Sequence, residues 1–198
     1  MKDFSDNEVK VLLLLFKDFS VDCNASVIGK RVGISRMGAL KIVKGLEKQG
    51  LLSSKQFGNS VFYRINFRNS FAKSCLRFLL EKEAEQSVSR VKRWVVEFSK
   101  FKGTAEIGVL CGSILTRDDV KDVDLVLVLK KSQQSKVNSL LVEVNKLSAK
   151  KVHLVKQTMQ DIKSNLKKKD KVLLSILKTG VVVFGQERLV EVVDSVSQ

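Results

Sequence analysis

Proline is absent from this 198-residue chain, aromatic residues make up only 7% of it, and histidine occurs once. The lack of proline excludes a proline-rich linker between domains. Cysteine is also scarce, and Cys23, Cys75 and Cys111 are widely separated and odd in number. This pattern argues against a disulfide framework and against a zinc site, and it predicts buried thiols in a reducing, cytoplasmic compartment.

Long hydrophobic runs are lacking as well. The apolar stretch at residues 11–16 is too short to cross a bilayer and is flanked by charged residues. The N-terminal residues carry no signal-peptide pattern. With 44% hydrophobic and 29% charged residues, the composition is that of an ordinary globular protein. We therefore expect no membrane partner, and a core shared out over one large or two small domains.

Basic residues outnumber acidic ones along the whole chain, with 36 Lys and Arg against 21 Asp and Glu and a net charge of +15. Residues 1–68 hold 12 basic and 6 acidic residues, and the rest hold 24 and 15. Such an excess favours polyanionic partners, namely DNA, RNA or nucleotides. For any single lysine, a place on a solvated surface is an equally good interpretation.

The first 32 residues predict two helices. Ser5 and Glu8 form a capping-box pattern, and the helix that they open extends to about residue 19. Residues 21–24 read as a turn, and a second short helix follows over residues 25–32.

Residues 33–67 predict a third helix followed by a hairpin. Gly33 closes the second helix, Ser35 can cap the third, and Gly50 can end it. Helical spacing assigns a buried stripe to Ala39, Ile42, Val43 and Leu46, and it assigns the opposite side to Met37, Lys41, Lys44 and Lys48. Two strands, 51–56 and 60–67, are joined by a turn at residues 57–59.

Residues 27–52 resemble the winged-helix regulators of the MarR and ArsR type, on the run G-I-S-R-M-G-A-L-K-I-V-K-G-L-E-K-Q-G-L-L. The resemblance implies a winged helix-turn-helix over residues 1–68 that binds DNA, with the third helix in the major groove. Winged helices also serve as protein-interaction modules, and a homodimer on two half-sites is compatible with this type. The residues expected to contact DNA are Ser35, Arg36, Met37, Lys41, Lys44, Lys55 and Arg64.

Residues 69–102 read as a helical connector. One helix extends to about residue 86, with a cap at Ser87, and a second extends to about residue 101. The single tryptophan, Trp94, is expected in the core. The apolar faces are formed by Phe71, Cys75, Phe78 and Leu79 in the first helix and by Val88, Val91, Val95 and Phe98 in the second. These helices either pair two subunits or join two domains.

Strands and helices alternate from residue 103 to residue 198, which predicts an α/β domain with a small mixed sheet and an α+β chain as a whole. The expected strands are 104–111, 122–129, 151–156 and 181–184. The expected helices are 133–147, 159–178 with a break near Asp170, and 186–193. The strand at 123–129 is almost pure Val and Leu, which is typical of burial on both faces.

Two aspartates, Asp122 and Asp124, begin that strand and point to one side of it, where they repel each other. A strand ending in Gly112-Ser113, a loop and then this D-V-D resemble the polymerase-β-like minimal nucleotidyltransferases over about residues 104–196. The resemblance implies Mg²⁺ or Mn²⁺ held by the two aspartates, and an NTP whose phosphates contact Gly112, Ser113 and Arg117.

The sequence departs from that family pattern at the third acid. His153 stands in the segment V-H-L-V, where the resemblance leads us to expect an aspartate. Imidazole suits Mg²⁺ poorly, although a histidine can act as a base. Either Asp122, Asp124 and His153 are the catalytic residues, or the domain has kept its fold and lost efficient catalysis.

Two functions follow from these patterns, and the sequence leans towards the first. The first is metal-dependent transfer of a nucleotidyl group from an NTP to an unknown acceptor, such as a protein or RNA. The alternative is a DNA-binding transcriptional regulator whose degenerate transferase domain senses nucleotide or mediates dimerisation. A partner role in a toxin–antitoxin pair is a third, weaker hypothesis.

Overall fold

The computed structural model describes residues 4–197 and shows an α+β chain. The chain divides into two compact units, Met1–Leu79 and Leu80–Val196. The boundary falls inside one helix, so each unit is described by itself. No helix of the described residues combines the length and the hydropathy that a bilayer crossing requires.

The N-terminal unit consists of three helices and a small antiparallel sheet, in the strand order β1-β3-β2. The predicted helices and hairpin are confirmed, with ends shifted by one or two residues. The elements are α1 (Asp6–Lys17), β1 (Cys23–Asn24), α2 (Ala25–Val32), α3 (Arg36–Lys48), β2 (Leu52–Phe57) and β3 (Ser60–Ile65).

Strand β1 corrects the sequence interpretation, which assigned residues 21–24 to a turn. Cys23 pairs with Tyr63 and Asn24 pairs with Phe62, so the sheet has three strands. The side chain of Asn24 also caps α2 by accepting a hydrogen bond from the Val27 amide at 3.0 Å. A strand of two residues is too short to show periodicity, which is why the pattern concealed it.

Caps and buried stripes account for the three helices. The predicted capping box of Ser5 and Glu8 is present at α1, and Gly33 ends α2 with a φ of 79°. Of the predicted stripe on α3, Ala39, Val43 and Leu46 are fully buried, while Ile42 is only half-buried.

The connector contains α4 (Ser70–Glu85) and α5 (Ser89–Phe98), followed by a 3₁₀ turn to Phe101. The hydroxyl of Ser87 donates to the Glu83 carbonyl at the end of α4, where the cap was predicted, and the N-cap of α5 is Val88. Trp94 is 4% exposed, as predicted. The predicted apolar faces are only partly correct, because Phe71, Phe78 and Val88 are exposed.

The C-terminal unit contains a mixed sheet in the order β6-β5-β4-β7, in which β5 and β6 are parallel and the other pairs are antiparallel. The predicted break near Asp170 is confirmed. The elements are β4 (Ile107–Cys111), β5 (Asp122–Val128), α6 (Gln134–Leu147), β6 (Lys151–Gln157), α7 (Met159–Lys167), α8 (Lys171–Thr179), β7 (Val181–Phe184) and α9 (Gln186–Val196).

Strand β5 lies between two layers. Val123, Leu125 and Leu127 point into a core that includes Trp94 and Phe98. Alternation directs the other side chains of β5 to the opposite face, where Val126 and Val128 are also buried. The predicted burial on both faces is therefore confirmed, and Asp122 and Asp124 occupy the start of that second face.

Candidate functional site

The N-terminus of α3 is an exposed part of the predicted DNA-binding surface. Ser35 caps the helix by accepting a hydrogen bond from the Gly38 amide at 3.0 Å. Arg36 is exposed, and Met37 is 71% exposed. A methionine with so little burial contributes almost nothing to the core, so its position leaves it available to a partner.

The turn before α3 is held close to α2. A Cβ on Gly29 would lie 2.9 Å from the Ile34 carbonyl oxygen and 3.3 Å from that of Ser35. Only glycine permits this approach. Sequence analysis overlooked Gly29, although a glycine inside a short helix is a signal of close packing.

Lysines continue the surface along α3. Lys41, Lys44 and Lys48 are exposed on the side opposite the buried stripe. None of Arg36, Lys41 and Lys44 forms an ion pair with any residue that the structure describes. Their charges are therefore uncompensated locally, which suits them to bind phosphate groups.

The β2–β3 hairpin places the two other predicted DNA contacts in different settings. The Lys55 ammonium lies 4.7 Å from the centre of the Phe57 ring, a cation–π arrangement. Phe57 is 53% exposed and packs edge-on against Phe62. Arg64 donates from Nε to Asp22 at 3.2 Å, so its charge is partly neutralised.

The second candidate site lies at the start of β5. In the sheet register Cys111 on β4 is the partner of Asp124 on β5, and Asp124 is the partner of His153 on β6. Paired residues of neighbouring strands share a face, so the three side chains form a row, and Asp122 lies on the same face. The two aspartates are 46% and 43% exposed.

His153 contacts both aspartates. Its Nε2 lies 3.7 Å from Oδ1 of Asp122, and its Nδ1 lies 3.8 Å from Oδ1 of Asp124. The structure thus brings together the three residues to which the sequence assigned catalysis. At these separations the contacts are electrostatic and are longer than hydrogen bonds.

Gly112 adjoins the same row. It has a φ of +82°, and a Cβ there would collide with the carboxylate of Asp124. Ser113 follows at the start of a 3₁₀ turn and is half-buried. The predicted phosphate-binding pair therefore lies directly beside one of the predicted metal ligands.

Two cations hold the loop that follows. Arg90 on α5 donates to the carbonyls of Ile114 and Leu115, both at 3.0 Å. The Lys150 ammonium donates to the carbonyls of Asp118 at 2.9 Å and Val120 at 2.5 Å. Sequence analysis missed both contacts, since backbone acceptors leave no sequence signal.

Arg117 points out of this loop. It is exposed and forms no ion pair with residues 4–197. The structure therefore neither ties it to the row nor engages it elsewhere, and its contact with phosphates stays a prediction.

The thiol of Cys111 is unreactive at neutral pH. Burial and, to a lesser extent, the nearby charge of Asp124 raise its pKa to about 12. Its thiol lies 3.6 Å from the Asp124 carbonyl and is 5% exposed. A thiol in this state is neither a nucleophile nor a ready metal ligand at neutral pH.

The donor set fits Mg²⁺ in type and number. Proteins hold this ion by one or two carboxylates together with water and substrate phosphates, and Asp122 and Asp124 are two such carboxylates. Within residues 4–197, no group of three or more His, Cys, Asp and Glu side chains is arranged to hold a metal. The remaining ligands would therefore have to be water or phosphate oxygens.

Comparisons with known proteins give little beyond this geometry. No protein-family model and no curated protein matches the chain. One solved structure, ZitR of Lactococcus lactis in a cysteine-to-serine mutant form, is similar at 16% sequence identity and a TM-score of 0.30. The similarity covers 52% of this chain and 78% of that one, and at this score it carries no functional inference.

Proposed function

We propose that the N-terminal unit is a winged helix-turn-helix that binds duplex DNA and that the chain is a DNA-binding regulator. The observation that carries this proposal is the exposed start of α3, where Arg36 and Met37 project beside a row of unpaired lysines. A helix with one fully buried stripe and an opposite cationic face has the form that the major groove admits.

Each part of the surface has a separate task. Lys41 and Lys44 would neutralise phosphates, which gives affinity that falls steeply as salt rises. Arg36 would meet a base edge, since a guanidinium can donate two hydrogen bonds to guanine. Lys55 on the hairpin would reach the backbone beside the groove. The C-terminal unit would then sense nucleotide or mediate dimerisation.

Selection from a random DNA library tests the proposal. Arg36→Ala should lower the preference for the favoured base at one position by about 1–3 kcal/mol, or roughly 5- to 150-fold. Lys10→Ala is the matched control, because Lys10 is an exposed cation on α1. The proposal is wrong if wild type enriches no sequence, or if Arg36→Ala and Lys10→Ala change base preference equally.

We propose as a second candidate that the C-terminal unit binds an NTP and transfers its nucleotidyl group. The observation in its favour is the convergence of Gly112, Asp124 and His153, with Asp122 on the same face. The backbone at Gly112 and Ser113 would hold phosphates, and Arg117 would add a positive charge. A bound Mg²⁺, held by Asp122 and Asp124, would neutralise phosphate charge.

This candidate is tested by whether metal reverses the effect of removing the two carboxylates on NTP affinity. Without metal, Asp122→Asn/Asp124→Asn should bind a fluorescent NTP more tightly than wild type, since two repelling charges are gone. With Mg²⁺ or Mn²⁺ present, the same double variant should bind the NTP more weakly than wild type does, and it should release no pyrophosphate. Asp119→Asn/Glu143→Gln makes the same charge change at exposed residues of the same unit. If both double variants respond alike, the candidate fails.

A further inference from the structure

Helix α7 carries an open groove on its solvent-facing side. The groove has a volume of about 490 Å³ and is lined by Met159, Gln160, Lys163, Ser164 and Lys167. The opposite side of the helix buries Ile162 and Leu166. The groove is therefore a surface that packing does not use, and no acidic side chain lines it.

Lysines line part of the groove and are concentrated in the turn after it. Residues 159–178 contain six lysines and two aspartates. Five of these lysines are exposed and form no ion pair with any residue of the described chain, and together they are termed the α7 lysine face: Lys163, Lys167, Lys168, Lys169 and Lys171.

The two aspartates of this segment serve helix caps. Asp161 accepts hydrogen bonds from the Thr158 amide at 2.9 Å and from its hydroxyl at 2.7 Å. Asp170 accepts from the Leu173 amide at 2.8 Å. Each carboxylate is thus held at a helix N-terminus, and neither one forms an ion pair with the lysines beside it.

Helix stabilisation alone does not explain the α7 lysine face. Cations near a helix C-terminus gain about 0.3–1 kcal/mol from the helix dipole, but the effect is confined to the last turn. That turn includes Lys167, whereas Lys163 precedes it and Lys171 begins the next helix. Five lysines within residues 163–171 concentrate like charge in one short segment, which is better suited to a polyanion.

We propose that the α7 lysine face binds the phosphate backbone of duplex DNA as a second contact, without reading the base sequence. This inference rests on the proposed DNA-binding function. Lys163 and Lys167 are four residues apart and lie on one side of the helix, so both can reach one backbone. No aromatic side chain lines the groove, so the base stacking that single strands require has no platform.

The salt dependence of binding tests the proposal in the full chain. The probe is a duplex of random sequence, and affinity is measured at several KCl concentrations. Lys163→Gln/Lys167→Gln should reduce the slope of log affinity against log salt by about 1.8, at roughly 0.9 per lost phosphate contact. Between about 50 and 200 mM salt, wild type should therefore lose about tenfold more affinity than this variant.

Matched variants identify the cause. Lys130→Gln/Lys136→Gln removes two exposed charges from the same unit and should keep the wild-type slope. Lys163→Arg/Lys167→Arg keeps the two positive charges, so it should also keep the wild-type slope of log affinity against log salt. Circular dichroism checks that every variant is folded. An unchanged slope in the α7 glutamine variant, or an equal change in the Lys130/Lys136 control, overturns the proposal.

Failure of the two proposals can be told apart. If wild type binds no DNA, both are wrong. If DNA binds and selectivity depends on Arg36 but the α7 variant keeps the wild-type slope, only the α7 site is wrong. If the slope falls in the α7 variant while Arg36→Ala leaves base preference intact, the α7 site stands and the role of α3 is wrong.

Discussion

Asp124 has neighbours on three sides: Cys111 on one strand, His153 on the other, and Gly112 in the turn. The contacts with His153 and Gly112 involve the carboxylate of Asp124, whereas the Cys111 thiol lies 3.6 Å from its backbone carbonyl. Burial and, to a lesser extent, the charge of Asp124 raise the thiol pKa of Cys111, and Oδ1 of Asp124 lies 3.8 Å from Nδ1 of His153. A change at any neighbour should therefore be visible first in the position of Asp124.

Gly112→Ala should distinguish the contribution of Gly112 to nucleotide binding from its contribution to stability. The φ of +82° costs an alanine about 1–3 kcal/mol, and the new Cβ should turn the Asp124 carboxylate away from the loop. We expect a moderate loss of unfolding free energy in urea and a much larger loss of NTP binding. Binding is measured by fluorescence anisotropy.

The control for that change is Gly103→Ala. Gly103 has a φ of +88°, and nothing lies within 4 Å of an added Cβ. The Gly103→Ala variant should lose about as much stability as Gly112→Ala and keep its nucleotide binding. If the two alanine variants bind NTP equally well, the approach of Gly112 to Asp124 has no functional role.

Cys111 should resist alkylation in the folded protein. With a pKa of about 12, about one thiol in ten thousand is ionised at pH 8, against about a quarter for an ordinary cysteine. Cys23 and Cys75 are buried too, and burial raises the pKa of each thiol. Peptide mass spectrometry after iodoacetamide should show slow labelling of all three, and rapid labelling in guanidinium chloride. Fast labelling of folded Cys111 contradicts this environment.

Strand alternation was sufficient to predict that Asp122 and Asp124 share one face of β5. His153 was predicted beside them only from the resemblance that the sequence analysis drew. The sequence was insufficient for Arg90 and Lys150. Their partners are loop carbonyls more than twenty residues away, and such contacts follow from tertiary packing and not from local pattern. The same limit applies to Asp22, which pairs with Arg64 across the unit.

At the scale of elements, helix ends with a side-chain cap were predicted best. Ser5 and Ser35 cap their helices as predicted, and the predicted break near Asp170 coincides with a side-chain cap on α8. Gly33 ends α2 as predicted, through its left-handed backbone. The start of α5 carried no such signal, because its N-cap, Val88, forms no side-chain hydrogen bond. The short β1 strand was missed because its only stabilisation is pairing with the distant β3.

Substitutions of Ser35 should separate the cap of α3 from its contact with DNA. Ser35→Ala removes the acceptor of the Gly38 amide and should lower the free energy of unfolding by about 1 kcal/mol. Ser35→Asp restores a cap, so it should keep wild-type stability. Its negative charge should nevertheless weaken DNA binding more than alanine does.

Urea denaturation and a DNA titration measure the two effects. The opposite order of the two variants in stability and in affinity is the expected signature. If Ser35→Asp binds DNA as tightly as wild type, the start of α3 does not lie against phosphates.

At the scale of the whole molecule, the proposed DNA contacts lie on two basic surfaces that belong to different units. One is the exposed face of α3 in the N-terminal unit, and the other is the α7 lysine face in the C-terminal unit. Composition alone indicated a polyanion but could not locate these surfaces, since the basic excess is spread along the chain. Their separation makes it necessary to know whether the units fold independently.

Core truncations in each unit should answer that question. Leu46 on α3 and Leu125 on β5 are both fully buried, and leucine-to-alanine changes at such sites cost about 2–5 kcal/mol. The core around Leu125 is built only from residues of the C-terminal unit. Leu125→Ala should therefore lower the urea midpoint reported by Trp94 fluorescence, while α3 amides keep their protection from hydrogen exchange. Leu46→Ala should do the reverse. If each variant shifts both probes equally, the two units unfold as one.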